Sequence, residues 1–100
     1  MKYVMAWTYR LNGSAMENEA SVQRGLEVFS KWRPPEGMTI HQFVGRIDGS
    51  GGFSVVETDN PMDLAVQSSK FGFIADYQIF PVVEMDGAVQ ALQEGAEFRQ

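Results

Sequence analysis

A chain of 100 residues with eight Lys and Arg against thirteen Asp and Glu carries a net charge of −5, and its 44% apolar content is that of one ordinary globular domain. The 12% aromatic content excludes a disordered acidic tail, and the acid excess argues against a nucleic-acid partner, because no basic patch can be assembled to neutralise phosphates. The absence of cysteine excludes a disulfide scaffold, a thiolate nucleophile and a Cys-ligated metal. No stretch reads as a membrane span or an export segment, so a cytoplasmic protein with no membrane partner is expected.

Six main pieces follow in chain order. Lys2 to Tyr9, rich in aromatic and β-favouring residues, reads as a strand, and Asn12-Gly13 as a turn. Ser14-Ala15-Met16-Glu17 has the form of a capping box. The helix behind it places Val22, Leu26 and Phe29 on one face and stops at Pro34-Pro35. Met38 to Asp48 reads as the second strand, Gly49-Ser50-Gly51-Gly52 as a hairpin connection, and Phe53 to Thr58 as the third strand. The glycine-rich connection is not a phosphate loop, since a strand and not a helix follows it. Asn60 and Pro61 start a second helix, with Leu64, Ser68 and Phe71 inward and Gly72 as its stop. Asp76 to Glu84 reads as the fourth strand, and Pro81 restricts it to an edge or a bulge. Asp86 caps a short third helix through Leu92, and the tail after Gly95 is expected to be loose or partner-bound.

The order β-α-β-β-α-β plus a short C-terminal helix is the ferredoxin-like α+β pattern, a four-stranded antiparallel sheet with both main helices on one face. Tyr3, Met5, Trp7 and Tyr9 then point one way and Val4, Ala6 and Thr8 the other, with no charge in either set. In the fourth strand Tyr77, Ile79 and Val83 oppose Phe80 and Val82. A sheet with one wet face alternates apolar with polar, so both faces are expected to be covered, the second by another copy in a two-fold homodimer.

Several stretches carry a resemblance: Lys2-Tyr3-Val4-Met5-Ala6-Trp7, Pro35-Glu36-Gly37, Val44-Gly45-Arg46, Gly52-Phe53-Ser54-Val55-Val56-Glu57-Thr58-Asp59 and Ile79-Phe80-Pro81-Val82-Val83-Glu84. Together they resemble an uncharacterised domain-of-unknown-function family of small bacterial proteins. That family is similar to the dimeric α/β-barrel superfamily, which includes cofactor-free antibiotic-biosynthesis monooxygenases, muconolactone isomerases, stress-responsive dimeric barrel proteins and haem-binding chlorite dismutases. The resemblance implies a dimeric α/β barrel and carries no activity for the family itself. The chain departs from the family pattern at Ile47-Asp48, where an aromatic residue or His follows the Gly-Arg pair, and at Phe71, which stands in place of Trp.

Three groups of residues are candidates for a site. A two-residue Ser50-Gly51 turn would set Arg46 opposite Val55 and Val44 opposite Glu57, making Arg46 and Glu57 diagonal neighbours beside Gln42 and Phe53. Such a pair could anchor a polar group of a ligand, or be a structural ion pair near the sheet margin. His41 is the single histidine and hence the default general base; in that register it falls on the other face with Phe43 and Ile47. Trp7, Tyr9 and Tyr77 form an aromatic group suited either to packing or to stacking a planar substrate, as the resemblance to cofactor-free monooxygenases implies. One histidine without cysteine cannot build a metal shell, and nothing else suggests haem, so no cofactor is expected. Two functions fit. The first is a small-molecule-binding or accessory protein with an apolar, aromatic pocket. The alternative is a cofactor-independent monooxygenase or isomerase/cyclase on a hydrophobic or aromatic substrate, with His41 or Glu57 as base, Arg46 holding an anion and Trp7, Tyr9 or Tyr77 stacking.

Overall fold

The computed structural model describes residues 1–100. The strands are β1 (Lys2–Tyr9), β2 (Thr39–Gly45), β3 (Gly51–Glu57) and β4 (Ala75–Val82), and the helices are α1 (Ala15–Lys31), α2 (Met62–Lys70) and α3 (Met85–Phe98). The sheet order is β2-β3-β1-β4 with every neighbouring pair antiparallel, so the chain has the ferredoxin-like α+β fold. β4 is an edge strand, and Pro81 is accommodated there because no further strand needs its missing N–H.

Local chemistry sets the helix starts. The Ser14 hydroxyl accepts from the Glu17 N–H at 3.1 Å while the Glu17 carboxylate accepts from the Ser14 N–H at 3.2 Å, a complete capping box. α2 begins at Met62, one residue later than Pro61, yet Asn60 still accepts from the Met62 N–H at 3.2 Å.

Burial follows the alternation. In β3, Gly52, Ser54 and Val56 are buried while Phe53 and Glu57 are exposed and Val55 is half-buried. Met5, Val56 and Leu64 form the core, with Tyr3, Met38, Ile40, Tyr77 and Ile79 against it. Both α1 and α2 lie over this side of the sheet, so Trp7, Tyr9 and Tyr77 face the helices and the opposite side presents Phe53 and Phe80, each about half exposed.

Two expectations are corrected. The β2–β3 ladder closes at Gly45↔Gly52, with Val44 opposite Phe53 and Thr39 opposite Glu57. The turn starts at Arg46, whose N–H donates to the Gly51 carbonyl (2.8 Å) and whose carbonyl accepts from Gly49 N–H (3.0 Å). Asp48 fixes it by accepting from the Ser50 N–H and hydroxyl at 3.0 and 2.6 Å, and Gly49 takes φ +73°. Further along, the register shifts between Ile40 and Gln42, so His41 is the extra residue of a β-bulge. The third helix is also longer than the expected Asp86–Leu92. It runs 14 residues to Phe98, because Ala91, Ala96, Glu94 and Glu97 favour helix and one Gly95 costs only about 1 kcal/mol. No residue of α3 is buried; Met85, Leu92 and Phe98 are 73%, 73% and 90% exposed. The radius of gyration is 17.2 Å, against about 13 Å for a compact chain of this length, which fits a helix projecting from the body.

Candidate functional site

The helix-side face of the sheet and the two helices enclose a half-open cavity of about 620 Å³. Its floor is built from alternate residues of three strands, Met5 and Trp7, Ser54 and Val56, and Tyr77. α1 supplies Val22, Leu26 and Phe29 from one stripe, Trp32 continues it, and α2 adds Gln67. Of the 22 lining residues 17 are hydrophobic and none is Asp, Glu, Lys, Arg or His.

A continuous chain of aromatic contacts runs along one side of the cavity. Trp7 meets Tyr77 at 6.0 Å and Phe43 edge-on at 5.7 Å. Phe43 meets Phe29 at 6.0 Å and Trp32 at 5.8 Å, and Phe29 stacks on Trp32 at 5.9 Å with 18° between planes. These separations are those of favourable offset and edge-to-face pairs. Trp7 can lie against β3 because its partner there is Gly52. A Cβ at Gly52 would fall 2.6 Å from the Val44 carbonyl oxygen and closer still to the indole.

The polar groups in the cavity orient and carry no charge. The Trp7 Nε1–H donates to the Tyr9 hydroxyl at 3.3 Å, and the Trp32 Nε1–H donates to Gln67 Oε1. Burial, with a smaller contribution from Tyr9, pushes the Tyr77 phenol up to about 12, so it stays a neutral hydrogen-bonding group throughout the physiological range.

The structure brings Trp7, Tyr9 and Tyr77 together in this cavity and places the other three candidates outside it. Arg46 and Glu57 are not diagonal neighbours; they occupy opposite ends of the β2–β3 ladder, and Arg46 pairs with Asp48 at 2.7 Å in the turn. His41 is not on a separate face from Glu57: the bulge turns it onto the exposed side, where its Nε2 lies 2.9 Å from Glu57 Oε1. The His41 hydrogen bond holds the Glu57 carboxyl below its ordinary value, with charges on His41 and Lys2 adding to it. Lys2 in turn pairs with Glu84, which raises the lysine and lowers the carboxyl. The His41–Glu57 hydrogen bond and the Lys2–Glu84 ion pair both lie at the margin of the sheet, on the side away from the cavity.

Sequence reasoning passes over Phe43, Trp32 and Gln67 as site residues. For the last two a signal exists: Trp32 lies three residues beyond Phe29, and Gln67 three beyond Leu64, on the faces already assigned inward. Phe43 pairs with Ser54 and so lies on the cavity side, the face away from Glu57 on which the expected register also sets it.

The domain-of-unknown-function model DUF3303 matches residues 1–96. The chain belongs to this family. No curated protein matches the chain. No helix is long and apolar enough to cross a membrane.

Proposed function

We propose that this DUF3303 protein is a small-molecule-binding protein that holds an apolar, aromatic ligand between the sheet and α1. One observation carries the reading: a cavity of about 620 Å³, walled by aromatic rings, in which no ionised side chain is present. Its volume is in the range that takes a ligand of drug size, and a few neutral hydrogen-bonding groups suffice to orient one. A general base must reach the proton it removes. His41 and Glu57, the candidate bases for a cofactor-independent monooxygenase or isomerase, lie on the far side of the sheet, which favours binding over that alternative. The test is titration with N-phenyl-1-naphthylamine, a neutral two-ring fluorophore with a pendant phenyl group. Saturable binding of one molecule per chain is expected; a linear, non-saturating signal overturns the reading.

The working unit in this reading is a homodimer joined through the second face of the sheet. Phe53, Phe80 and Val44 are 44%, 49% and 50% exposed there. Exposed apolar surface of this extent marks an interface more often than a free surface. Light scattering is expected to give twice the chain mass, and Phe80→Glu to give a folded monomer that still binds the fluorophore. A wild-type monomer ends the dimer and leaves the cavity reading standing.

A further inference from the structure

The charge distribution beside the cavity narrows the ligand class. Four of the eight Lys and Arg residues, Lys2, Arg10, Arg24 and Arg46, are each engaged by a carboxylate. Lys31, Arg33, Lys70 and Arg99 are not, although the chain holds thirteen acidic residues, and Arg99 stands apart from the other three at the end of α3. Lys31, Arg33 and Lys70 line one shallow groove of about 410 Å³ together with Val28, Trp32 and Phe71. Trp32 and Phe71 line the main cavity as well, so the two spaces are neighbours divided by two aromatic rings.

Helix ends account for only part of this charge. Lys31 closes α1 and Lys70 closes α2, where cations are favoured. Two helix C-termini together present about −1 elementary charge. Against three full positive charges, a net positive groove remains in a chain whose overall charge is −5. Arg33 is held in place by its own backbone, its Nη1 donating to the Trp32 carbonyl at 2.7 Å and the Ser30 carbonyl at 3.4 Å. A guanidinium so placed keeps further N–H donors for a carboxylate, sulfonate or phosphate.

We infer that the ligand is amphiphilic: an apolar ring system lodged in the neutral cavity, bearing one anionic group that passes the Trp32–Phe71 divide and is held by Lys31, Arg33 and Lys70. This rests on the binding reading above and specifies its ligand.

The test compares N-phenyl-1-naphthylamine with 1-anilinonaphthalene-8-sulfonate, which has the same rings and adds one sulfonate. The anionic probe is expected to bind about tenfold more tightly or better at low salt, to displace the neutral one, and to lose most of that advantage by about 0.5 M salt. Combined Lys31→Gln, Arg33→Gln and Lys70→Gln substitution is expected to remove the advantage and leave the neutral probe within about twofold of its wild-type affinity. The salt series on the wild-type protein needs no variant and reads the same quantity. Equal affinities for the two probes, an advantage that survives the triple variant, or binding of the anion without displacing the neutral probe overturns the inference and leaves the cavity reading intact. Failure of the neutral probe to saturate removes the cavity reading itself.

Discussion

The two faces of the sheet are made from alternate residues of the same strands, yet they do different work. On the helix side, Met5, Trp7, Ser54 and Tyr77 combine with α1 to enclose a neutral, aromatic cavity. On the opposite side, Phe53, Val55 and Phe80 share the surface with the His41–Glu57 hydrogen bond and the Lys2–Glu84 ion pair. The difference shows how a half-apolar strand divides its tasks. Residues that need water as well as a partner collect on one side, and rings that need an unsolvated surface collect on the other. A titratable residue is therefore a poor guide to this site, since the chain's one histidine lies on the side without the cavity.

Substitutions that act on one face alone should separate the two. The largest effect is expected from Gly52→Val, which places a side chain where the Val44 carbonyl and the Trp7 indole already are. A loss of about 3 kcal/mol is expected, measured by denaturant unfolding, together with loss of probe binding. Trp7→Ala should be next. It removes the ring that touches both Tyr77 and Phe43, and the neutral probe is expected to bind at least about tenfold more weakly. Because Trp7 points toward the helices, the oligomer mass should not change; a shift in mass would mean that the two faces are not independent.

The fold is largely legible in the chain because its signals are local. Ser14 and Glu17 cap each other across one turn, Asn60 and Pro61 open a helix, and β1 alternates without a break. The site is legible only in part. His41 carries no mark of a bulge, since nothing about a histidine flanked by Ile40 and Gln42 says that two residues will oppose one. That single insertion moves His41 beside Glu57, while Phe43, opposite Ser54, keeps the cavity side. The place of Arg46 is hidden for a related reason. Asp48 captures the Ser50 N–H and hydroxyl, which tightens the turn earlier than the glycines alone suggest. The extent of α3 escapes because a single glycine resembles a stop. The size of the cavity has no local signature, for it depends on how far α1 stands from the sheet.

Smaller effects sharpen the contrast. Ser14→Ala should cost about 1 kcal/mol by unbalancing the α1 capping box, seen as a lowered unfolding midpoint, and should loosen the cavity wall without moving the exposed face. The smallest effect concerns pH. The Glu57 and Glu84 carboxyls are held below their ordinary values, so the stability they contribute is present above about pH 4.5 and is lost as pH falls through their folded-state values. Lys2 is raised, so its contribution is complete below about pH 10.5 and is lost as pH climbs through its folded-state value. Glu57→Gln should therefore soften the acid limb of the stability curve and leave probe affinity unaltered. Neutral-probe affinity should be level from about pH 5 to 9, because the titratable groups in the cavity are tyrosines and Tyr77 lies at about 12.

The 17 residues of α1 include none that is fully buried, although the helix forms one whole wall. A guest lodged between Phe29 and Trp7 would touch helix and strand at once and so act as packing material for the domain. At a free concentration one hundred times its dissociation constant, any such guest adds about 2.7 kcal/mol to the unfolding free energy. For a domain of this size each kcal/mol moves the melting temperature by about 4–8 °C. Thermal shift alone can thus sort a compound library against this fold, with no fluorescent label and before the natural ligand has been identified.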